Sequence, residues 1–324
     1  MKYLVVVVVI LLFFFLISIN TNNNTTNNTT KFYETENNDV IVDIVWSKGY
    51  PLFFNLKNKD YIFSGTEKLI SKNDIVTQKG NRYIWIKMGT KKINKKNINK
   101  FIENINTFDY PFILITTDGD SSIPLNLNKK YLQIVLNNKN LITWYTQNIS
   151  DNQYDKLKPI PIGLDLYTIK NSPQEQLDEI YKIRDNSPPE KKLKIFCDVH
   201  LSKNKNFGNP REQVEKLKYD TIEYLPNRIP REQLWKEYTN YAFVISTHGN
   251  GLDCHRTWEI LLLGSIVITK TSSIDSLFKN LPVVIVKDWE ELNDSTNLKK
   301  WYDTYIPLTK DIENKLKIRN FITN

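Results

Sequence analysis

The sequence has few thiol or imidazole groups with which to bind zinc or cross-link itself: two cysteines and three histidines in 324 residues. They fall as Cys197 with His200 and Cys254 with His255, while His248 stands a few residues earlier. A zinc centre needs four tetrahedral ligands, and Cys-x-x-His followed by Cys-His fits no standard spacing, so zinc is set aside. A Cys197–Cys254 disulfide and two buried thiols both stay open. Also missing is any stretch in which basic side chains interleave with exposed aromatics on one face. The net charge of +8 comes from lysines scattered among Asn, Ile and Asp, which reads as a solvated surface and not as a nucleic-acid groove. Acidic glycans and anionic sugar nucleotides are compatible with that charge. Apolar bulk is not lacking: 40% hydrophobic and 12% aromatic residues suffice for a large core and two domains of ordinary size.

The N-terminus opens with an almost unbroken apolar run, Leu4 to Ile19, preceded by Lys2. It is a little shorter than the ~20 residues that span a bilayer comfortably and longer than the ~7–15 of a signal-peptide core. No small-x-small cleavage site follows it, which favours an uncleaved signal anchor over residues 1–19. Lys2 and the amino terminus would stay in the cytosol, giving a single-pass type II protein whose body is lumenal, in an ER- or Golgi-like compartment, or otherwise extracytosolic. The Asn/Thr tract from Asn20 to Thr30 cannot pack and predicts a flexible stem over residues 20–38. It carries N-x-Thr acceptors such as Asn23 and Asn27.

Beyond the stem, strand-length apolar runs alternate with amphipathic segments, the pattern of parallel sheets covered by helices. Val40–Trp46, Tyr83–Met88 and Phe112–Thr117 read as strands, Ile93–Thr107 as a surface helix, and Leu132–Leu136 and Leu141–Trp144 as short strands. Pro173–Arg184 reads as a helix that Ser187-Pro188-Pro189 breaks, which puts a boundary near residue 188 and divides the body into 39–188 and 189–324. In the second part strand and helix alternate strictly, from Leu193–Val199 to Val283–Val286. That implies a doubly wound sheet with its ligand beyond the carboxyl ends of the strands. Leu298–Phe321 reads as a closing helix that could cross back to the first domain.

The stretch Ser246-Thr247-His248-Gly249-Asn250-Gly251-Leu252-Asp253-Cys254-His255-Arg256-Thr257-Trp258-Glu259 follows a buried strand and opens a helix. Gly249 and Gly251 allow close backbone approach, and the helix's first turn offers N–H groups suited to a diphosphate. Arg256 and Glu259 share a helix face. A guanidinium there can grip a pyrophosphate in bidentate fashion while the carboxylate accepts ribose hydroxyls; the plainer alternative is an i,i+3 surface ion pair. His248 is a candidate for phosphate or sugar, with Asn250 on the same turn and Lys203 assisting from beyond the first strand of the second domain. Asp118-Gly119-Asp120 ends a strand. It reads as a Mn²⁺ site of the single-domain GT-A kind, as a cleft loop whose Asp118 or Asp120 is a general base, or as a plain turn. Trp258 and Ile260–Leu263 read as the helix's core face, and Trp289 as packing under the last helix.

The run His248–Glu259, with Leu261-Leu262-Leu263-Gly264-Ser265-Ile266 and Leu281-Pro282-Val283-Val284-Ile285-Val286 after it, resembles the C-terminal half of exostosin-like glycosyltransferases. Ser265-Ile266-Val267-Ile268 stands where that family has Cys-Ile-Pro-Ile. Asp118–Pro124, Trp144–Asn148 and Pro159–Asp165 resemble its N-terminal domain. The resemblance implies an α/β, GT-B-like fold, with two Rossmann-like domains facing a cleft. It further implies a nucleotide-diphosphate-sugar donor held by Arg256 and Glu259, and a glycan or glycoprotein acceptor held by the first domain. Transfer would then need no metal cofactor. A metal-dependent GT-A-type transferase using Asp118 and Asp120, with Mn²⁺, and a catalytically inactive carbohydrate-binding membrane protein are the competing expectations.

Overall fold

A computed structural model describes residues 33–34, 40–53, 82–89, 91–167, 172–202 and 206–322. They belong to one compact unit spanning residues 32–324. The anchor expected at residues 1–19, the stem apart from 33–34, and Lys203 lie outside the described residues. Among those described, no helix is long and apolar enough to cross a membrane.

The protein is α/β with two parallel sheets. Strands β1 (Tyr33–Glu34) and β2 (Val40–Ile41) form a small antiparallel pair, and helix α1 is Gly49–Phe53. The first sheet runs β3 (Tyr83–Gly89), β4 (Phe112–Gly119), β5 (Leu141–Thr146), β6 (Leu157–Pro159), all parallel. Its connections include α2 (Lys91–Asn104) and α3 (Lys129–Leu136). β4 is buried on both faces from Phe112 to Asp118, as a parallel strand covered by helices must be. Helix α4 (Pro173–Asp185) begins with a capping box, in which Ser172 accepts from Glu175 N–H and the Glu175 carboxylate accepts from Ser172 N–H.

The second sheet contains β7 (Lys192–Cys197), β8 (Ile222–Tyr224), β9 (Tyr241–Ile245), β10 (Ile266–Lys270) and β11 (Val283–Val286). Between them lie α5 (Pro210–Glu215), α6 (Arg231–Asn240) and α7 (His255–Leu262), and after them α8 (Ser295–Tyr305) and α9 (Ile312–Lys315). The spatial order β11-β10-β9-β7-β8 reverses direction between β7 and β9. This is the switch point of a doubly wound sheet, where the loops leaving adjacent strands diverge and open a crevice. On α7, Trp258, Ile260, Leu261 and Leu262 are fully buried, each worth about 1.5–3 kcal/mol in area removed from water. Trp289 is buried in the same core cluster as Leu298 of α8.

The larger of two buried apolar clusters among the described residues runs across both sheets, from Ile44 and Trp85 through Trp258 to Ile318. The C-terminal segment crosses back to the start of the body: Val45 N–H donates to Leu316 O at 2.9 Å and Ile318 N–H to Asp43 O at 2.9 Å. The fully buried Asp43 carboxylate is approached by Arg319 at 3.4 Å and Lys317 at 4.0 Å.

Three sequence readings need correction. Leu132–Leu136 lies in helix α3 instead of a strand: Asn128 caps it by accepting from Lys130 N–H at 2.8 Å, and Leu132 and Val135, one turn apart, are its buried face. Of Val40–Trp46 only Val40–Ile41 is strand; Ile44 and Trp46 make single bridges, to Lys317 and to Gly163 and Leu164. Leu298–Phe321 is not one helix. It stops at Tyr305, just before Pro307, and turns at Asp311, which has a φ of 59°.

Candidate active site

A cavity of about 550 Å³ lies beyond the carboxyl ends of β4 and β5 of the first sheet and β9 of the second. The first sheet contributes Asp118, Gly119, Asp120 and Gln147; the second contributes Gly249–Gly251, Arg256 and Glu259. Nearly every residue singled out from the sequence is therefore in one place. His248 is the exception. Its Nδ1 sits 2.7 Å from Leu252 O and its ring meets Phe207 edge-on, while Gly249 N–H donates to Gly251 O at 3.0 Å. His248 does not line the cavity, and its Nδ1 contact braces the bend.

Asn148 ties the two walls together. Its Nδ2 donates to Gly119 O at 3.0 Å and its Oδ1 accepts from Asp253 N–H at 2.8 Å. The Asp253 carboxylate accepts from Ile162 N–H at 2.7 Å, Cys254 N–H at 2.8 Å and Trp258 Nε1 at 2.9 Å. Complete burial nonetheless pushes the Asp253 pKa up to about 6.

Arg256 and Glu259 are not paired with each other. Arg256 Nη2 lies 3.1 Å from Asp198, which follows β7, and its Nε donates to Tyr238 Oη at 3.2 Å. Burial disfavours the Arg256 charge, but Asp198 together with Tyr238 and Cys254 outweighs that penalty and holds the pKa above its ordinary value. Glu259 accepts from Arg231 and, at 3.1 Å, from Trp235 Nε1. Arg231 also reaches Asp165, its Nη2 donating to the backbone oxygen at 2.7 Å and its Nη1 lying 3.5 Å from the carboxylate.

Asp118 has a left-handed backbone (φ 60°), and its N–H donates to Gln147 Oε1 at 2.9 Å. Its carboxylate stands 3.3 Å from Lys87 Nζ and 3.9 Å from Lys48 Nζ, all three groups being buried. Lys48 also sits 4.2 Å above the Tyr167 ring. Tyr167 Oη is 3.0 Å from His255 Nε2, and His255 Nδ1 is 2.7 Å from Gly163 O. A carbonyl can only accept, so Nδ1 carries a proton and, in the neutral ring, Nε2 accepts from the phenol. Burial and the nearby Asp118 and Asp165 raise the Tyr167 pKa, which keeps that phenol protonated.

Arg211 breaks the pairing pattern. Its guanidinium donates to two carbonyls, His248 O and Ser202 O, each at 3.3 Å, and lies against the Cys254 thiol. Among the described residues it forms no ion pair with any carboxylate. Burial, and then the like charge of Arg256, push its pKa down. A half-buried guanidinium with no ion pair of its own, beside a second one and a glycine turn, is a site for an anion.

Lys48, Lys87, Arg211, Arg231 and Tyr167 were not singled out from the sequence, and His255 was weighed there only as a zinc ligand. A signal existed for three of them. Lys87 interrupts an otherwise apolar strand, and lysine is almost never buried unless paired. Arg211 and Arg231 both stand in a Pro-Arg-Glu-Gln tetrapeptide, at 210–213 and 230–233, and each tetrapeptide opens a helix of the second sheet beside the cavity.

Both cysteines are free thiols: Cys197 is buried with its Sγ 3.8 Å from His200 Nδ1, and Cys254 donates to Thr247 O at 3.3 Å. Among the described residues no cluster of three or more His, Cys, Asp or Glu side chains is arranged to hold a metal. No family model matches the chain, and no curated protein matches it significantly in sequence.

Proposed function

We propose that this chain is a glycosyltransferase of GT-B-like arrangement, moving a sugar from a nucleotide-diphosphate sugar to a glycan or glycoprotein acceptor in the cavity between the two sheets. One observation carries the reading: Arg211, without a carboxylate partner among the described residues, stands with Arg256 at the Gly249–Gly251 turn, at the switch point of a doubly wound sheet. Two guanidiniums and a glycine bend match a diphosphate in charge and shape.

In the transfer, the bond from the anomeric carbon to the diphosphate oxygen breaks as the acceptor oxygen bonds to that carbon. The electron pair leaves with the diphosphate, whose growing charge Arg211 and Arg256 stabilise without a metal. The acceptor hydroxyl loses its proton to Asp120, on the opposite wall. Asp118 is held by two lysines and supports the loop that presents Asp120. Glu259 keeps accepting capacity beyond Arg231 and Trp235, since a carboxylate has about four lone-pair sites, and faces the ribose. Under the same reading, residues 4–19 anchor the chain in a membrane with its body extracytosolic.

The GT-A alternative asks Asp118 to hold Mn²⁺, which would have to displace two buried ammonium groups. The experiment is release of free sugar or glycoside from a panel of nucleotide-diphosphate sugars, with chelator present. Turnover of at least one donor in chelator supports the reading. Turnover only with Mn²⁺ favours the GT-A class, and no turnover with any donor favours a silent carbohydrate-binding protein.

A further inference from the structure

A second cavity, of about 390 Å³, opens beside the first sheet between α2, the loop 121–128 and α3. None of its described lining residues is charged, although 25% of the chain is. Its polar groups include the amides of Asn99, Asn126 and Asn128 and the Tyr131 hydroxyl. Two of the amides have a fixed sense. Asn126 Oδ1 accepts from Ser122 N–H and Asn128 Oδ1 from Lys130 N–H, both at 2.8 Å. A backbone N–H demands the oxygen, so each Nδ2 is left as a donor with no protein acceptor among the described residues.

The same cavity has an apolar side. Leu125 is 70% exposed, the most exposed large hydrophobic residue described, yet its backbone is firmly tied. Its N–H donates to Ser150 Oγ at 3.0 Å, Asn126 N–H to Ser122 O at 2.8 Å and Ser150 N–H to Ile123 O at 2.8 Å. An exposed leucine on so well bonded a loop is a preformed contact surface.

Amide donors, an apolar side chain and a tyrosine lining one cavity, with no charge among its described residues, suit a ligand rich in neutral oxygen acceptors with a C–H face. A charged ligand would find no counter-charge among the described lining residues. The loop also joins this cavity to the reaction site, since Asp120 lines the first and Ser121 the second. We propose that the cavity is a subsite for an uncharged pyranose unit of the acceptor, set back from the reacting hydroxyl; this rests on the glycosyltransferase reading.

The test is saturation-transfer NMR on the full chain in detergent micelles. The probes are the methyl β-glycosides of glucose, galactose, mannose and N-acetylglucosamine, with methyl β-glucuronide as the charged comparison. At least one neutral glycoside should receive saturation and the glucuronide should not. Leu125→Asp, at an exposed position, and Asn99→Asp should each cut the signal several-fold with melting temperatures unchanged, while Arg211→Met leaves it intact. No transfer to any neutral glycoside, equal transfer to the glucuronide, or a signal that survives both cavity variants would overturn the subsite. Titration with nucleoside diphosphates separates the two ideas. If they bind and the glycosides do not, the subsite alone fails. If the glycosides bind at this cavity and no nucleoside diphosphate binds, the transferase reading fails and the cavity stands as a carbohydrate site.

Discussion

The Asn148 side-chain amide fills the space that a β-carbon on Gly251 would need: such a carbon would lie 2.6 Å from Nδ2 and 2.7 Å from Oδ1. Because Asn148 also holds Gly119 O and Asp253 N–H, it cannot step aside without loosening both walls of the cavity. Gly251→Ala should therefore destabilise by about 1–3 kcal/mol, the usual cost of overpacking, and weaken nucleotide binding more than a surface Gly→Ala would. Gly264 is the control. A β-carbon there meets nothing within 4 Å, although its φ of 77° carries its own strain. Thermal melts and nucleoside diphosphate titrations on both variants check this.

Arg256 has a structural burden as well as a functional one. Removing it strands the buried Asp198 carboxylate, and Arg256→Ala should cost about 3–5 kcal/mol of stability as well as binding. The double variant Arg256→Ala, Asp198→Asn should recover much of the stability while nucleotide binding stays lost. Chemical denaturation of the two variants alongside the titrations separates the roles.

Asp253 gives the stability curve a predictable slope. Its native pKa of about 6 lies above the ordinary 3.8, so between those values the folded chain keeps a proton that the unfolded chain has released. Its contribution to stability therefore falls as pH rises through 3.8 to 6 and is flat above. Denaturation midpoints for wild type and Asp253→Asn should differ by an amount that changes across that window and levels off at neutral pH. A constant difference would show that Asp253 is ionised throughout.

If Asp120 takes the acceptor proton, Asp120→Asn should lower transfer by about 10²–10⁴-fold and leave nucleoside diphosphate affinity nearly unchanged. Asp118→Asn should act differently, since it strips two buried lysines of their shared anion. A lowered melting temperature is its expected signature.

Much of this architecture was legible in the sequence because it follows from period and punctuation. The parallel strands read as apolar runs, and the glycine bend with α7 behind it could be placed from Ser246–Glu259 alone. Helix α3 was missed because Leu132 to Leu136 is apolar at strand length, and the capping role of Asn128 outweighs that short pattern. What the sequence could not reveal is who pairs with whom. Arg256 and Glu259 sit three residues apart, yet they pair with Asp198 and Arg231, which the chain brings in from 58 and 28 positions away. That the charge on Arg211 forms no ion pair is likewise visible only once Arg256 and Arg231, the other guanidiniums lining the cavity, are seen paired with Asp198 and with Glu259 and Asp165.

That charge gives the most direct test of the account. Nucleoside diphosphates with uracil, guanine, adenine, cytosine and thymine bases are titrated calorimetrically, in chelator, against the full chain and its Arg211→Met variant. At least one should bind the wild type, and the variant should lose tenfold or more in affinity, about 1.4 kcal/mol, while melting close to wild type because the half-buried guanidinium forms no ion pair that the substitution would break. Wild-type and Arg211→Met proteins that bind equally, or a wild type that binds none of the five, would contradict it.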